Sequence, residues 1–165
     1  MEKTLNVLNR LVADGVIEKY AIGGAMGAMF YTEPVSTYDL DVFAVIPALP
    51  SGLLTLTPLY QHLSHIGYEA EGECVMIEGT PVQFLPAYNP LVAEALENSV
   101  ILDYGAIKVP VLSAEYLVVI SIQTGRAKDK IRVRMMLDEA ELNMGKLFDI
   151  LDRHKLVEKG RLWMQ

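Results

Sequence analysis

The sequence predicts an α+β fold: a small mixed β-sheet flanked by helices, with a helical layer at its C-terminal end. Three observations predict it. Short β-branched and aromatic runs alternate with helix-period segments up to about residue 110. From Ser113 onward only helix-period segments follow. A length of 165 residues fits one domain, with its sheet core at about 18–110 and its C-terminal helices at about 113–165.

The elements follow in order. Leu5, Leu8, Leu11 and Val12 recur at helical spacing, so residues 2–14 form an amphipathic helix that Gly15 ends. Lys19 to Ile22 is a strand, Gly23-Gly24 a turn, and Ala25 to Tyr31 a short helix stopped before Pro34. Tyr38 to Ile46 is a strand, and Pro47 to Gly52 a loop. Leu53 to Ile66 has helical periodicity, although Pro58 disfavours its first half. Glu73–Ile77 and Pro81–Leu85 form a hairpin about Glu78-Gly79-Thr80. Asn89 is an N-cap with Pro90 in the first turn of a helix running to about Asn98. Val100–Leu102 and Ala106–Val109 are short extended pieces. Ser113 caps a helix that stops near Gly125, and Arg126–Leu137 and Leu142–Arg153 are two more helices.

Composition excludes several classes. Hydrophobic residues make up 52% and charged residues 21%, which is a globular composition. The net charge of −7 repels nucleic acid unless a local basic patch overrides it. The single cysteine, Cys74, rules out an intrachain disulfide and fits a reducing compartment. There it is expected as a buried small hydrophobe, and the methionines as core filler. No stretch is apolar enough to cross a membrane, and the N-terminus lacks a signal-peptide pattern. The expected location is cytoplasmic.

The residues with most chemical content are in Thr37-Tyr38-Asp39-Leu40-Asp41-Val42-Phe43. Asp39 and Asp41 are two apart on a strand, so their carboxylates project together and repel. A divalent cation relieves that repulsion and takes phosphate oxygens at the same time. The apolar flanks make this a buried strand, where unpartnered acids are costly. Gly23-Gly24, between a strand and a helix, permits close backbone approach to a phosphate or serves as a plain turn. The spacing is GGxxG rather than GxGxxG, and Pro34 cuts the following helix short, which disfavours a dinucleotide-binding βαβ unit.

Arg126, Lys128, Lys130, Arg132 and Arg134 concentrate positive charge in an acidic chain. Two readings stand: a solvated helix face balanced by Asp129, Asp138 and Glu139, or a polyanion-binding surface. His62 and His65 share a helix without a third ligand, which makes them surface or half-buried residues.

In combination, Ile22–Phe43 resembles the nucleotidyltransferases of the DNA polymerase β superfamily. The later segments Ser113–Leu117 and Arg126–Asp129 look most like the AbiEii-type toxin branch. The resemblance implies metal ligation by Asp39 and Asp41, with Mg²⁺ or Mn²⁺ as the cofactor. It implies Asp39, Asp41 and Lys128 as catalytic residues, and nucleotide binding by Gly23, Gly24, Thr37 and Arg126. The implied function is transfer of a nucleotidyl group from a nucleoside triphosphate to an RNA end, a protein hydroxyl or a small molecule, with an antitoxin-like partner. Three positions depart from the pattern. Gln83 stands where a third carboxylate is expected, Ser121 where a lysine is, and Arg132 where a further acid is. These departures leave open the alternative of a non-catalytic nucleotide- or partner-binding module with a degenerate site.

Overall fold

The computed structural model describes residues 1–165. The helices are α1 (Glu2–Ala13), α2 (Gly24–Ala28), α3 (Thr57–His65), α4 (Pro90–Glu97), α5 (Ala114–Thr124), α6 (Ala127–Glu139), α7 (Met144–Arg153) and α8 (Val157–Trp163). The strands are β1 (Lys19–Ile22), β2 (Leu40–Val45), β3 (Ala70–Glu71), β4 (Cys74–Ile77), β5 (Thr80–Pro86), β6 (Val100–Tyr104) and β7 (Ile107–Val111). They form one mixed sheet in the order β3-β4-β5-β2-β1-β7-β6. β2 lies between β1, antiparallel to it, and β5, parallel to it. The mixed sheet with a helical C-terminal layer is the predicted fold class.

The two faces of the sheet bury different partners, as strand alternation requires. Leu40, Val42 and Ala44 join Leu5, Leu8 and Leu11 of α1 and Leu59 and Leu63 of α3 in one core. Phe43 and Ala21 point the other way, into a second core built on α4, α5, α6 and α7. Helix α5 is buried along its length from Ala114 to Ile122, because α2, α4, α6, α7 and α8 pack around it. Asp41 has the parity of Phe43, so it faces the C-terminal helices.

Several boundaries differ from the sequence expectation for local reasons. β2 starts at Leu40, so Asp39 immediately precedes the ladder. α3 begins at Thr57 with Pro58 in its first turn, where the missing N–H is harmless, and Leu53 and Leu54 lie exposed outside it. α2 ends at Ala28, three residues before Tyr31. The two-residue β3 and helix α8 were not anticipated; β3 is too short, and α8 too close to the end of α7, to show a period. The hairpin turn Glu78-Gly79 has φ of 51° and 80°, the positive pair that suits the strand twist. Asn89 accepts a bond from the Val92 N–H at 2.9 Å, as a cap should. Ser113 occupies the cap position of α5 without capping it. Its hydroxyl instead donates to Glu115 at 3.1 Å.

Glu94 ties α4 to the C-terminal layer. It accepts from the Tyr116 hydroxyl at 2.6 Å, lies 2.8 Å from His154 Nε2, and pairs with Arg153. Burial pushes the Glu94 carboxyl up, but the bonds from Tyr116, Arg153 and His154 outweigh it and hold it at about 2. A depressed acid stabilises the fold above its unfolded value near 4.5, and that stability disappears as pH falls toward 2. Glu94→Gln is therefore expected to lower stability at pH 7 by roughly 1.5–3 kcal/mol. It should also flatten the loss of stability between pH 4.5 and 2, both read by urea titration across pH.

Candidate nucleotide and metal site

The site forms where β2 leaves the loop after α2. Asp41 is register-paired with Gln83 on β5 and with no acid. Gln83 sits between buried Val82 and Phe84, so strand alternation turns it to the same side as Asp41. A hollow of about 130 Å³ is lined there by Gly24, Asp41, Gln83, Tyr88, Ser121 and Arg126, among others. A second hollow, of about 390 Å³, is lined by Thr37, Asp39, Asp41, Lys128, Arg132 and Met135, among others. Asp41 and Arg132 border both, so the two form one cleft divided by this pair.

The glycine turn fixes Asp41. The Gly23 N–H donates to the Asp41 carbonyl at 3.0 Å and extends the β1–β2 ladder. That N–H is therefore committed to the sheet, and close approach to a ligand rests on Gly24. Gly24 has φ of +58°, and a Cβ there would fall 1.8 Å from Asp41 Oδ2. Only glycine fits both restrictions. A Cβ on Gly23 would meet the Phe43 ring at 2.4 Å, so this residue serves the core.

Asp41 carries the electrostatic strain that the sequence predicts. Burial raises the Asp41 carboxyl, and Asp39 raises it further; Arg132, Lys128 and Arg126 pull it back. Thr37 lines the same hollow, with its hydroxyl donating to the Asp39 carbonyl at 3.4 Å.

The basic run divides by helix face. Lys128 and Arg132, four apart on α6, face the cleft. Lys130 is exposed, and Arg134 pairs with Asp138 at 3.2 Å. Arg126 caps α6 through Asp129, which is fully buried. Asp129 accepts from Arg126 Nε at 2.7 Å, from Arg126 Nη2 at 3.1 Å, from the Arg126 backbone N–H at 3.1 Å and from Arg132 Nη1 at 3.0 Å. Burial raises the Asp129 carboxyl, and these bonds hold it below the ordinary carboxylate range.

The structure thus brings Gly24, Thr37, Asp39, Asp41, Arg126 and Lys128 to one cleft. His62 lies apart, in a hollow with Arg10 and Tyr68. Cys74 is half-buried rather than buried, because β4 begins with it near the sheet edge. Its thiol is raised by burial and by Asp39, Asp41 and Glu73. The sequence reading missed Arg132 and Tyr88 as cleft residues; the i, i+4 spacing of Lys128 and Arg132 was the available signal for the first.

The donors fit one divalent ion. Mg²⁺ accepts one or two carboxylates with the rest of its shell from phosphate and water, and Asp39 and Asp41 supply that number. No three His, Cys, Asp or Glu side chains converge as a metal-holding group, and Gln83 Nε2 donates to Glu73 at 3.3 Å. The set does not suit a second ion.

No protein-family model and no curated protein matches the chain. Solved structures do. A nucleotidyltransferase-like antigenic protein from Paracoccidioides brasiliensis is similar at 16% identity and a TM-score of 0.57, covering 95% of this chain and 90% of its own. ANT(2")-Ia, solved in complex with adenylyl-2"-tobramycin, is similar at 13% identity and 0.52, covering 96% and 95%. The solution structure of the antibiotic-resistance factor ANT(2'')-Ia gives 13% identity and 0.54 with the same coverage. The fold is therefore nucleotidyltransferase-like.

Two outcomes follow from the geometry. A carboxyl raised in the folded state opposes folding when ionised, so neutralising it helps above its folded pKa. Asp41→Asn is expected to raise the melting temperature of the metal-free protein at pH 7, by about 2–4 °C for each kcal/mol gained. Gly24→Ala should do the opposite, costing roughly 1–3 kcal/mol through the positive φ and the displaced Asp41 carboxylate. Calorimetry of both variants checks the pair of signs.

Proposed function

We propose that the chain binds a nucleoside triphosphate with one Mg²⁺ or Mn²⁺ ion and transfers its nucleotidyl group to an acceptor. The observation that carries this reading is the convergence of a carboxylate pair, a side-chain-free turn and α6 cations on one cleft of a nucleotidyltransferase-like fold. Asp39 and Asp41 would hold the ion, which when bound supplies alignment of the acceptor hydroxyl and neutralisation of the leaving pyrophosphate. Gly24 leaves room for the Asp41 carboxylate, and so keeps it where the ion and the phosphates would meet. Arg126 and Lys128 offset phosphate charge by charge-assisted hydrogen bonds. Thr37, with its hydroxyl on the Asp39 carbonyl, steadies the turn into β2.

The acceptor is a hydroxyl on an RNA end, a protein or a small molecule. The last class has a counterpart in ANT(2")-Ia, whose complex contains an adenylylated tobramycin. The toxin-type placement, with an antitoxin-like partner, rests on the segments Ser113–Leu117 and Arg126–Asp129, and the cytoplasmic setting on composition. No helix is long and apolar enough to cross a membrane.

A second reading is favoured by a specific contact. Gln83 is neutral, faces Asp41 across the ladder, and directs its amide to Glu73. A cleft short of one carboxylate binds nucleotide and turns over slowly or not at all. That module would keep the ligand and lose the chemistry.

The test is thermal stability with and without ligand. Mg²⁺ or Mn²⁺ with a nucleoside triphosphate is expected to raise the melting temperature, because a ligand of the native state stabilises it by mass action. The Asp39→Asn, Asp41→Asn double variant should lose the shift; a variant that keeps it would move the metal elsewhere. Pyrophosphate release then separates transfer from binding alone. Gln83→Asp is expected to tighten metal binding, to destabilise the metal-free protein and to raise any pyrophosphate release. If it changes none of these, Gln83 plays no part in the site.

A further inference from the structure

We infer that Arg132 is a phosphate-binding residue of the cleft, held in position by the buried carboxylate of Asp129. The inference deepens the proposed nucleotide site and rests on it. Arg132 is 12% exposed, unusually deep for an arginine on an outer helix. A guanidinium so placed needs partners, and Asp129 supplies one, through Nη1 at 3.0 Å. That single bond leaves most of a five-donor fork without a protein partner. The open part borders both hollows of the cleft, opposite Asp41.

Arg132 makes no ion pair with Asp41, although its charge lowers the Asp41 carboxyl. The gap between them is bounded by a metal-competent carboxylate on one side and a guanidinium on the other. A phosphate group suits such a gap, since its oxygens bind a hard cation and a guanidinium fork at once. Ser121 and Thr124 add hydroxyls to the same wall.

A merely structural role explains the geometry less well. Asp129 already receives three bonds from Arg126, so its charge is satisfied without Arg132. The two arginines around one buried acid leave a net positive pair aimed at the cleft. Lys130 and Arg134 belong to the same basic run but lie away from the cleft, and Arg134 is paired with Asp138. Phosphate contact therefore assigns to Arg132 among these three.

The experiment uses inorganic tripolyphosphate and ATP, each with Mg²⁺, and adenosine as the phosphate-free control. Titration calorimetry compares the wild type with Arg132→Gln, Arg132→Lys and Lys130→Ala. Arg132→Gln should weaken tripolyphosphate and ATP at least tenfold, about 1.4 kcal/mol, and leave adenosine unaffected. Arg132→Lys should fall between, since it keeps the charge and loses the fork. Lys130→Ala should stay within about twofold of wild type. Unchanged tripolyphosphate and ATP affinity in Arg132→Gln, alongside lost affinity in Asp41→Asn, overturns the role of Arg132 and leaves the nucleotide site standing. A wild type that binds neither phosphate compound overturns both. Should Arg132→Gln fail to fold, phenylglyoxal labelling of the wild type decides: Mg²⁺–ATP should protect Arg132 and not Arg134, and equal labelling overturns the inference.

Discussion

No side chain fits at residue 24, and the cleft is organised around that fact. The positive φ of Gly24 turns the chain out of β1, and the space a Cβ would fill is held by the Asp41 carboxylate. The Gly23 N–H meanwhile locks the same turn to the Asp41 carbonyl. One residue of β2 is thus fixed from both its backbone and its side chain. Any larger residue at 24 would move the carboxylate, and with it the acid of β2 that faces the C-terminal helices. Packing, turn geometry and candidate chemistry meet in a single steric requirement.

The C-terminal layer supplies the opposite charge. α5 lines the cleft with uncharged residues only, Leu117, Ile120, Ser121 and Thr124. The cations come instead from α6, the next helix out. Asp129 makes this possible: a buried carboxylate with four hydrogen bonds anchors the start of α6 and two arginines together. A chain with net charge −7 thereby presents a local basic wall. Glu115 does similar work on the far side, where it accepts from Lys146 Nζ at 3.0 Å and the Asn143 N–H at 3.0 Å and so fixes the start of α7.

Much of this was legible in the sequence. The alternation around Asp41 and Phe43, the glycine pair and the Asn89 cap each follow from local chemistry, and each is found in place. Gln83 facing Asp41 follows from period-two alternation, and the register bears it out. What was not legible depended on tertiary contact. Nothing in the local sequence says that the Gly23 N–H is taken by the sheet. Nor does it say that Ser113 gives up capping for Glu115, which Lys146 and Asn143 reach from α7. Arg132 departs from the family pattern, and only the packing of α6 shows that this position meets the cleft. The two-residue β3 exists only because β4 offers an edge to pair with.

The departures at Gln83, Ser121 and Arg132 are better read together than singly. Gln83 in place of an acid and Arg132 in place of another both make the cleft more positive; Ser121 in place of a lysine reverses only part of that change. A more positive cleft attracts a polyanion with less help from metal ions, so these changes favour phosphate binding rather than oppose it. Activation of the acceptor does not follow by the same argument. A guanidinium neutralises phosphate charge, yet it cannot lower the pKa of an attacking hydroxyl as a coordinated metal does, nor accept the proton that leaves. Binding and chemistry therefore depend on different residues here. On the proposed reading, affinity would rest on Lys128 and Arg132, and turnover on whether Asp39 and Asp41 suffice without a carboxylate at 83. If the proposed reading holds, a protein that binds nucleotide but turns it over slowly follows from that division.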